Sequence, residues 1–209
     1  DGYLGMYLFL MGKYLEKTES TDLPEYWKKG ISLALKKIQS LMRDGITQVS
    51  EENTTVYLMD NLEVWKGLYE LEHAGLKDVQ AIREMRNKLQ AQIEKLFWDD
   101  ANQRWRIIEN SNLYHQKEFY PDGVAQIYPL IYEFPVKEKK KQKILYKQFT
   151  ERFQWQKLTK KRNGFLWAMT GMAAAQMGDI NNLVELIENY ETEYCENRKY
   201  PLYTGEAGW

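Results

Sequence analysis

The chain repeats one pattern four times, and this repetition limits what it can fold into. In each repeat, a nearly all-apolar segment with glycine and aromatic residues precedes an amphipathic segment rich in Lys and Glu. A helix that is apolar all round must be buried, whereas an amphipathic helix covers a core with one face. The apolar segments are 2–15, 55–71, 123–134 and 164–177, and the amphipathic segments are 25–42, 79–97, 136–155 and 180–194. The pattern predicts an all-α fold of four helical hairpins, with inner helices wrapped by outer ones.

Residues typical of helix ends agree with this prediction. Gly178-Asp179 indicates a helix stop followed at once by a helix start, and therefore a tight antiparallel hairpin. Apolar residues recur at three- and four-residue spacing along the outer segments, which indicates one buried stripe on each. The stripes are Ile82, Met85, Leu89, Ile93 and Leu96 in one segment, and Leu183, Ile187, Tyr190 and Tyr194 in another. A short hairpin between residues 103–108 and 113–119 is the one β element predicted, and it follows a turn at 99–102.

Composition limits the function. The 209 residues carry a net charge of -1, which suits a single domain with a substantial core and favours neither nucleic acid nor an acidic membrane surface. No run reaches the roughly 18 apolar residues of a membrane span. Cys195 is the only cysteine, so a standard zinc set cannot form, and no phosphate-binding glycine loop occurs. We expect no cofactor, no metal and a monomer. Residues 99–102 resemble a calcium loop only weakly, and a turn is the better interpretation.

Alternating inner and outer helices resemble the six-hairpin glycosidases, whose fold is the (α/α)6 toroid. Short sequence motifs agree with this resemblance: Tyr57-Leu-Met-Asp-Asn-Leu-Glu63, Leu96-Phe-Trp-Asp-Asp100, Arg104-Trp105, Tyr120-Pro-Asp-Gly-Val-Ala-Gln126 and Thr204-Gly-Glu-Ala-Gly-Trp209. The chain is most similar to bacterial members, including relatives of the inverting endoglucanases and chitosanases. The resemblance implies a carbohydrate substrate and a cleft at one end of the inner ring.

The same resemblance implies that the chain is partial. A toroid needs twelve helices, and eight are predicted here; twelve of this length would need roughly 310 residues. We therefore expect residues 1–209 to be one toroid-type domain truncated at both ends. Because the start is expected to be missing, the lack of an export signal leaves the compartment open, and an extracytoplasmic location fits a polysaccharide hydrolase.

Glycoside hydrolysis needs two carboxyl groups, which directs attention to polar residues in the apolar segments. On a helical wheel of 55–71, Asn61 lies at the centre of the apolar arc and Asp60 at its edge, whereas Glu63 falls on the opposite side with Lys66 and Glu70. Glu63 is thus expected to be exposed or salt-bridged. Asp60 and Asn61 are the better candidates, although Asn61 is equally able to bind a neighbouring loop backbone and Asp60 to cap a helix.

The remaining candidates lie at segment ends. Asp122 and Asp1 are further catalytic candidates, although Asp122 is also interpretable as a plain helix N-cap. Aromatic rings stack on sugars but more often fill cores, so few of the 15 Tyr and seven Trp residues are expected at the site. The predicted substrate-binding residues are Asn61, Tyr3, Tyr120, Gln126, Trp167 and Glu206. Trp105, between two arginines, is predicted either to overhang the cleft or simply to hold segments of the surface together.

Two functions from different classes follow. The first is hydrolysis of glycosidic bonds in a poly- or oligosaccharide by paired carboxylates. The second is a non-catalytic carbohydrate-binding protein or helical scaffold, in which the polar residues only tie hairpins together. A sugar epimerase on the same fold is disfavoured, because His73 and His115 are not well placed. For the fold, the predicted core is Leu58, Leu62, Trp65, Leu68, Ala173, Leu183 and Ile187, and Lys139, Lys140 and Lys141 are predicted to be exposed.

Overall fold

The computed structural model describes residues 1–19, 23–76, 79–111, 118–137, 139–157 and 168–196, without the side chains of 194–196. The chain divides into two compact units, Asp1–Leu113 and Tyr114–Trp209, called here the N-terminal and C-terminal units. Four α-helices in each unit are found among the described residues, so the predicted all-α class is confirmed. The helices are α1 Gly2–Thr18, α2 Glu25–Leu41, α3 Leu58–His73 and α4 Gln80–Phe97, then α5 Val124–Ile131, α6 Lys139–Phe153, α7 Ala168–Met177 and α8 Ile180–Tyr190.

The N-terminal unit contains two antiparallel helical hairpins. In the first, the Tyr14 ring of α1 meets the Trp27 ring of α2 edge-on at 4.7 Å. Nearer the other ends of these helices, Gly30 lies against the Tyr7 hydroxyl. In the second hairpin, Glu72 near the end of α3 pairs with Arg83 in the first turn of α4. Each apolar segment therefore folds back on the amphipathic segment that follows it.

The two inner helices of this unit, α1 and α3, run parallel. A Cβ added to Gly5 would lie 2.5 Å from the backbone of Val64, and one added to Gly12 would lie 2.7 Å from that of Glu70. The contacts between α1 and α3 therefore advance in the same chain direction along both helices. Glycines let two helix backbones approach this closely, because any larger side chain would hold them apart. Parallel packing places both helix N-termini at one end of the unit.

Most of the predicted core is confirmed. Leu58, Leu62 and Leu68 are fully buried, as is Ala173 in α7, and Trp65 is almost so. The predicted stripe of α4 is buried at Ile82, Leu89 and Ile93 and half-buried at Met85 and Leu96. The stripe of α8 is wrong in part: Leu183 is half-buried, and Ile187 is 50% exposed because Leu186 is the residue that faces the core. Lys139 and Lys140 are exposed, but Lys141 is half-buried.

The β structure differs from the prediction. Strand β4 (Arg104–Trp105) pairs with β3 (Trp98–Asp99), the strand just before the turn, and this pairing was not predicted. Residues 112–117 of the predicted partner lie outside the described residues. A second hairpin, β1 (Met42–Arg43) with β2 (Ile46–Thr47), was not predicted. Its turn residues Asp44 and Gly45 both have positive φ, as a two-residue type I′ turn requires, and Asp-Gly is the sequence signal for that turn.

The C-terminal unit contains the other two hairpins. Phe119, in a π-helical turn (Phe119–Gly123) that leads into α5, packs on Phe149 and Phe153 of α6. The predicted stop and start between α7 and α8 is confirmed, because Gly178 has φ 68° and Asp179 caps α8 through a 3.3 Å bond from the Asn182 N–H. A membrane-crossing helix is absent from the described residues, since each helix there is too short or too polar.

Candidate functional site

The candidate site lies at the end of the N-terminal unit where α1 and α3 begin. Asp1 precedes the first turn of α1 and Asp60 lies in the first turn of α3. Because these helices are parallel, both carboxyl groups lie at the same end of the unit. Helix N-termini carry unpaired N–H groups and positive partial charge, so this end favours acidic side chains and anionic ligands.

Asp60 is half-buried beside the backbone of α1. Its Oδ1 would lie 3.4 Å from a Cβ added to Gly2, so the missing side chain at that position makes room for the carboxyl group. Burial raises the pKa of Asp60, while the positive α-amino group at Asp1 acts in the opposite direction. A carboxyl group with a raised pKa can hold a proton at higher pH and is suited to acid–base chemistry.

Glu63 lies closer to this site than the helical wheel predicted. Its Oε2 is in contact with the position that a Gly2 side chain would occupy, and the residue is half-buried. Lys66 and Glu70, which the wheel placed with Glu63 opposite the apolar arc, are buried, because α1 covers that side of α3. Lys66 and Glu70 therefore pair with each other at 2.8 Å, and Lys13 of α1 joins Glu70 at 3.0 Å.

Asn61 ties β2 to the start of α3. Its Oδ1 accepts from the Thr47 N–H at 2.9 Å, and its Nδ2 donates to the carbonyls of Thr47 at 3.0 Å and Tyr57 at 2.8 Å. Its Oδ1 also lies 2.8 Å from the Thr47 hydroxyl. These four contacts use the hydrogen-bonding capacity of the amide. The geometry therefore favours the structural alternative for Asn61 over direct contact with a sugar.

Asp1 is anchored to the same segment. Its backbone N donates to the Val49 carbonyl at 3.1 Å, and its Oδ2 lies 2.6 Å from the Thr47 hydroxyl. Although Asp1 occupies the N-cap position of α1, its side chain makes no capping bond. Its Oδ1 is buried and has no hydrogen-bond partner among the described residues. Sequence reasoning missed Thr47, and the Asp44-Gly45 turn signal is what would have placed it.

The aromatic candidates separate into exposed and buried rings. Tyr3 is 95% exposed in the first turn of α1, where its ring is available to a ligand near Asp60. Trp105 is buried and stacks edge-on against Trp98 with 5.1 Å between ring centres, so it does not overhang a cleft. Pairing of β4 with β3 is what turns the Trp105 ring inward.

The candidates of the C-terminal unit surround the start of α5. Asp122 is 8% exposed and lies inside the π-helical turn, while Gly123 occupies the N-cap position of α5, so the interpretation of Asp122 as that helix's N-cap is wrong. Tyr120 is exposed and precedes Pro121 through a cis peptide bond. Gln126 is half-buried and donates to the Asp122 carbonyl at 3.3 Å. Trp167 and Glu206 lie outside the described residues.

In the turn at residues 99–102, the Asp99 carboxylate is bound by other groups of the protein. Asp99 accepts from the backbone N–H groups of Ala101 and Asn102 at 3.0 and 3.2 Å, and Arg106 pairs with it at 3.2 Å. The hydrogen bond from the Asn102 side chain contributes most to lowering the pKa of Asp99. This carboxylate closes an Asx turn, as the sequence indicated. In the described ranges, His, Cys, Asp and Glu side chains form no group of three that could hold a metal ion.

A second polar cluster, which was not predicted, lies on the other half of α3. Glu72 is buried and receives Arg86 at 2.6 Å and Arg83 at 2.8 Å. Burial alone would raise the pKa of Glu72, but the two arginines lower it overall. Tyr69 stacks on Trp65 at 5.4 Å beside them. The paired charges suit a role in joining α3 to α4.

Comparison of the chain with known protein families, with curated proteins and with solved structures gives no match.

Proposed function

We propose that the protein hydrolyses glycosidic bonds, with Asp60 as one of the two carboxyl groups that the reaction requires. The observation that carries this proposal is the half-buried Asp60 carboxyl at the N-terminal end of two parallel apolar helices, with its pKa raised by burial. One of the two carboxyl groups in such a reaction must hold a proton or accept one near the working pH. The resemblance to six-hairpin glycosidases supplies the substrate class.

Neighbouring residues support a sugar ligand. Tyr3 presents an exposed ring in the first turn of α1, and sugar C–H faces stack on such rings. The absence of a side chain at Gly2 makes room for the carboxyl groups of Asp60 and Glu63. Asp1, in the same unit, is the candidate for the second carboxyl group, and Asp122 of the C-terminal unit is kept as a separate catalytic candidate. Asn61 acts indirectly in this proposal, by holding Thr47 and the start of α3 in place.

The test is release of reducing ends from a panel of polysaccharides by the full chain and by Asp60→Asn, Asp1→Asn and Asp122→Asn. Loss of an acid or base group reduces turnover by about 10²–10⁴-fold, and Asp60→Asn should show this loss. Asp44→Asn is the matched control, since Asp44 is exposed and has positive φ, which Asn tolerates well. It should keep the parental rate.

The alternative is a protein that binds carbohydrate without cleaving it. The complete use of Asn61 in internal hydrogen bonds favours this alternative in part, because that polar residue of the inner layer serves the fold. Binding to a glycan array with no hydrolysis by the parent chain would decide for the alternative. Hydrolysis that is unchanged in Asp60→Asn would remove Asp60 from the mechanism.

A further inference from the structure

Three side-chain oxygens form a row beside the start of α1. Thr47 Oγ1 lies in the middle, 2.6 Å from Asp1 Oδ2 and 2.8 Å from Asn61 Oδ1. Each of these oxygen–oxygen distances is that of a hydrogen bond and so requires one proton between the two atoms. A threonine hydroxyl supplies one proton. One more proton is needed.

Asn61 cannot supply it. Its Nδ2 donates to the backbone carbonyls of Thr47 and Tyr57, and its Oδ1 accepts from the Thr47 N–H. Carbonyl oxygens only accept and the backbone N–H only donates, so these three bonds fix which end of the amide is oxygen. The Asn61 atom that faces the Thr47 hydroxyl is therefore an acceptor.

Bulk water does not supply it either, because Thr47 and Asn61 are both 0% exposed. The carboxyl group of Asp1 is the remaining source. We propose that Asp1 is held as a neutral carboxylic acid whose Oδ2–H donates to Thr47, while the Thr47 hydroxyl donates onward to Asn61. Thr47 and Asn61 are then positioning residues that keep this proton on Asp1.

The other oxygen of Asp1 supports the neutral form. An ionised carboxylate spreads its charge over both oxygens, and Asp1 Oδ1 is buried without a hydrogen-bond partner among the described residues. Burying charge without a partner is costly, whereas the carbonyl oxygen of a neutral acid is cheaper to bury.

The surrounding charges affect the ionisation of Asp1 in both directions. Asp60 and Glu63 of α3 both approach Gly2, the neighbour of Asp1, and like charges favour the neutral acid. Burial also raises the pKa of Asp60. The α-amino group at Asp1 and the N-terminus of α1 favour the ionised form instead. Arg43, on β1, is paired with Glu109 at 3.7 Å. The proton count in the oxygen row decides in favour of the neutral acid.

This inference goes beyond the proposed hydrolysis and does not depend on it. A neutral Asp1 adds no negative charge beside the carboxyl groups of Asp60 and Glu63 at this end of the two helices. If the chain is a hydrolase, a carboxyl group that already carries a proton is also in the state that a general acid requires.

The test is a pH titration of the aspartate side-chain carboxyl carbons by NMR in the full chain, with the Asp1 signal assigned from Asp1→Asn. We expect Asp1 to titrate well above about 3.9, the value of an unperturbed aspartate. Thr47→Ser keeps a hydroxyl and should keep the high midpoint, whereas Thr47→Val removes the acceptor and should lower the Asp1 midpoint toward that value. An Asp1 midpoint at or below about 3.9 would overturn the proposal, and so would an unchanged midpoint in Thr47→Val.

Stability gives a second measurement if Thr47→Val does not fold. In Asp1→Asn, the amide N–H replaces the carboxylic acid as donor to Thr47, so this variant should unfold at pH 7 at no lower denaturant concentration than the parent. An ionised Asp1 would instead accept the Thr47 proton, and the amide would lose that charge-assisted bond. Earlier unfolding of Asp1→Asn at pH 7 would therefore also overturn the proposal.

Discussion

Gly67 of α3 lies directly against the carbonyl group of Gly5 in α1, so that a Cβ on Gly67 would overlap the Gly5 oxygen and lie 2.9 Å from its carbonyl carbon. This contact is what allows two inner helices to run parallel with their backbones touching. It also determines where Asp1 lies relative to Asp60, since Asp1 precedes α1 and Asp60 lies in the first turn of α3, and this contact aligns the two helices.

Gly67→Ala should therefore destabilise the N-terminal unit. The new methyl group would meet backbone atoms, which cannot rotate away, and overpacking of this kind typically costs about 1–3 kcal/mol. Gly171→Ala is the matched control: its Cβ would meet only the tips of Leu183 and Leu186 at 3.2 and 3.3 Å. Chemical denaturation of both variants should show a lower midpoint for Gly67→Ala alone. Equal midpoints would contradict the close backbone contact.

The same contact explains where sequence reasoning failed on α3. A helical wheel of one segment shows which side is most apolar, and it placed Leu58, Leu62 and Trp65 correctly in the core. It cannot show that a second helix covers the opposite side. Lys66 and Glu70 lie on that opposite side, and they are buried as a pair because α1 covers them. The glycines of α1 indicate that another helix packs closely against it, but the residues around them do not show which helix that is.

The buried pair of Lys66 and Glu70 should be sensitive to the loss of one member. Glu70→Ala leaves two lysines, Lys66 and Lys13, without their shared carboxylate. Breaking a buried ion pair on one side typically costs about 3–5 kcal/mol, whereas replacing both members with apolar residues costs far less. The double variant Lys66→Met with Glu70→Met should thus be more stable than Glu70→Ala.

An exposed pair provides the control for that measurement. Lys147 and Glu151 lie 3.7 Å apart on the surface of α6, and exposed pairs contribute about 0–1 kcal/mol. Glu151→Ala should accordingly change the free energy of unfolding very little. A loss in Glu70→Ala no larger than that in Glu151→Ala would show that Glu70 remains hydrated.

The N-cap of α8 should make the stability of the fold depend on pH. Asp179 accepts from the Asn182 side chain at 2.7 Å and from the Tyr146 hydroxyl at 2.8 Å. Burial raises the pKa of Asp179, but these hydrogen bonds lower it overall. A lowered folded-state pKa means that the ionised cap stabilises the fold at pH values above the unfolded pKa, about 3.9, and that this stabilisation is lost as the pH falls through the folded pKa.

Asp179→Ala should cost about 0.5–2 kcal/mol at pH 7 through loss of the cap. The difference in unfolding free energy between parent and variant should shrink as the pH falls below about 4. Urea unfolding at pH 7 and at pH 3 measures both effects. A difference that stays constant between these two pH values would contradict the assignment of a lowered pKa to Asp179.

The sequence predicted elements better than their partners. The Gly178-Asp179 boundary and the stripe of α4 depend on residues within a few positions of each other, and both are confirmed. The pairing of Arg104–Trp105 with β3 was not predicted, because a two-residue strand has little alternation to indicate its partner. At the candidate site, Asp60 and Asp1 could be selected as stray carboxyl groups in apolar segments. Thr47 was missed, because its importance comes from the hairpin that brings it to Asn61, and the Asp44-Gly45 turn signal for that hairpin was not used.

Asp60 gives the prediction that connects the fold to the proposed chemistry. Because burial raises the pKa of Asp60, the unfolded chain ionises this carboxyl at a lower pH than the folded chain does. Between the unfolded pKa, about 3.9, and the higher folded pKa, stability falls as the pH rises, because ionising the buried group costs free energy. Asp60→Asn removes that cost. The variant should therefore gain stability over the parent as the pH is raised from 3 to 7.

Asp44→Asn supplies the control here too, since it neutralises an exposed aspartate by the same chemical change. Its stability difference from the parent should change less over this pH range than that of Asp60→Asn, because Asp44 is exposed and Asp60 is half-buried. A gain in Asp60→Asn together with slower glycan hydrolysis would fit a carboxyl group that is kept for function at the expense of stability. If Asp60→Asn instead loses stability relative to the parent as the pH rises, the ionised carboxylate is stabilised in the fold, and Asp60 is a structural residue rather than a candidate acid or base.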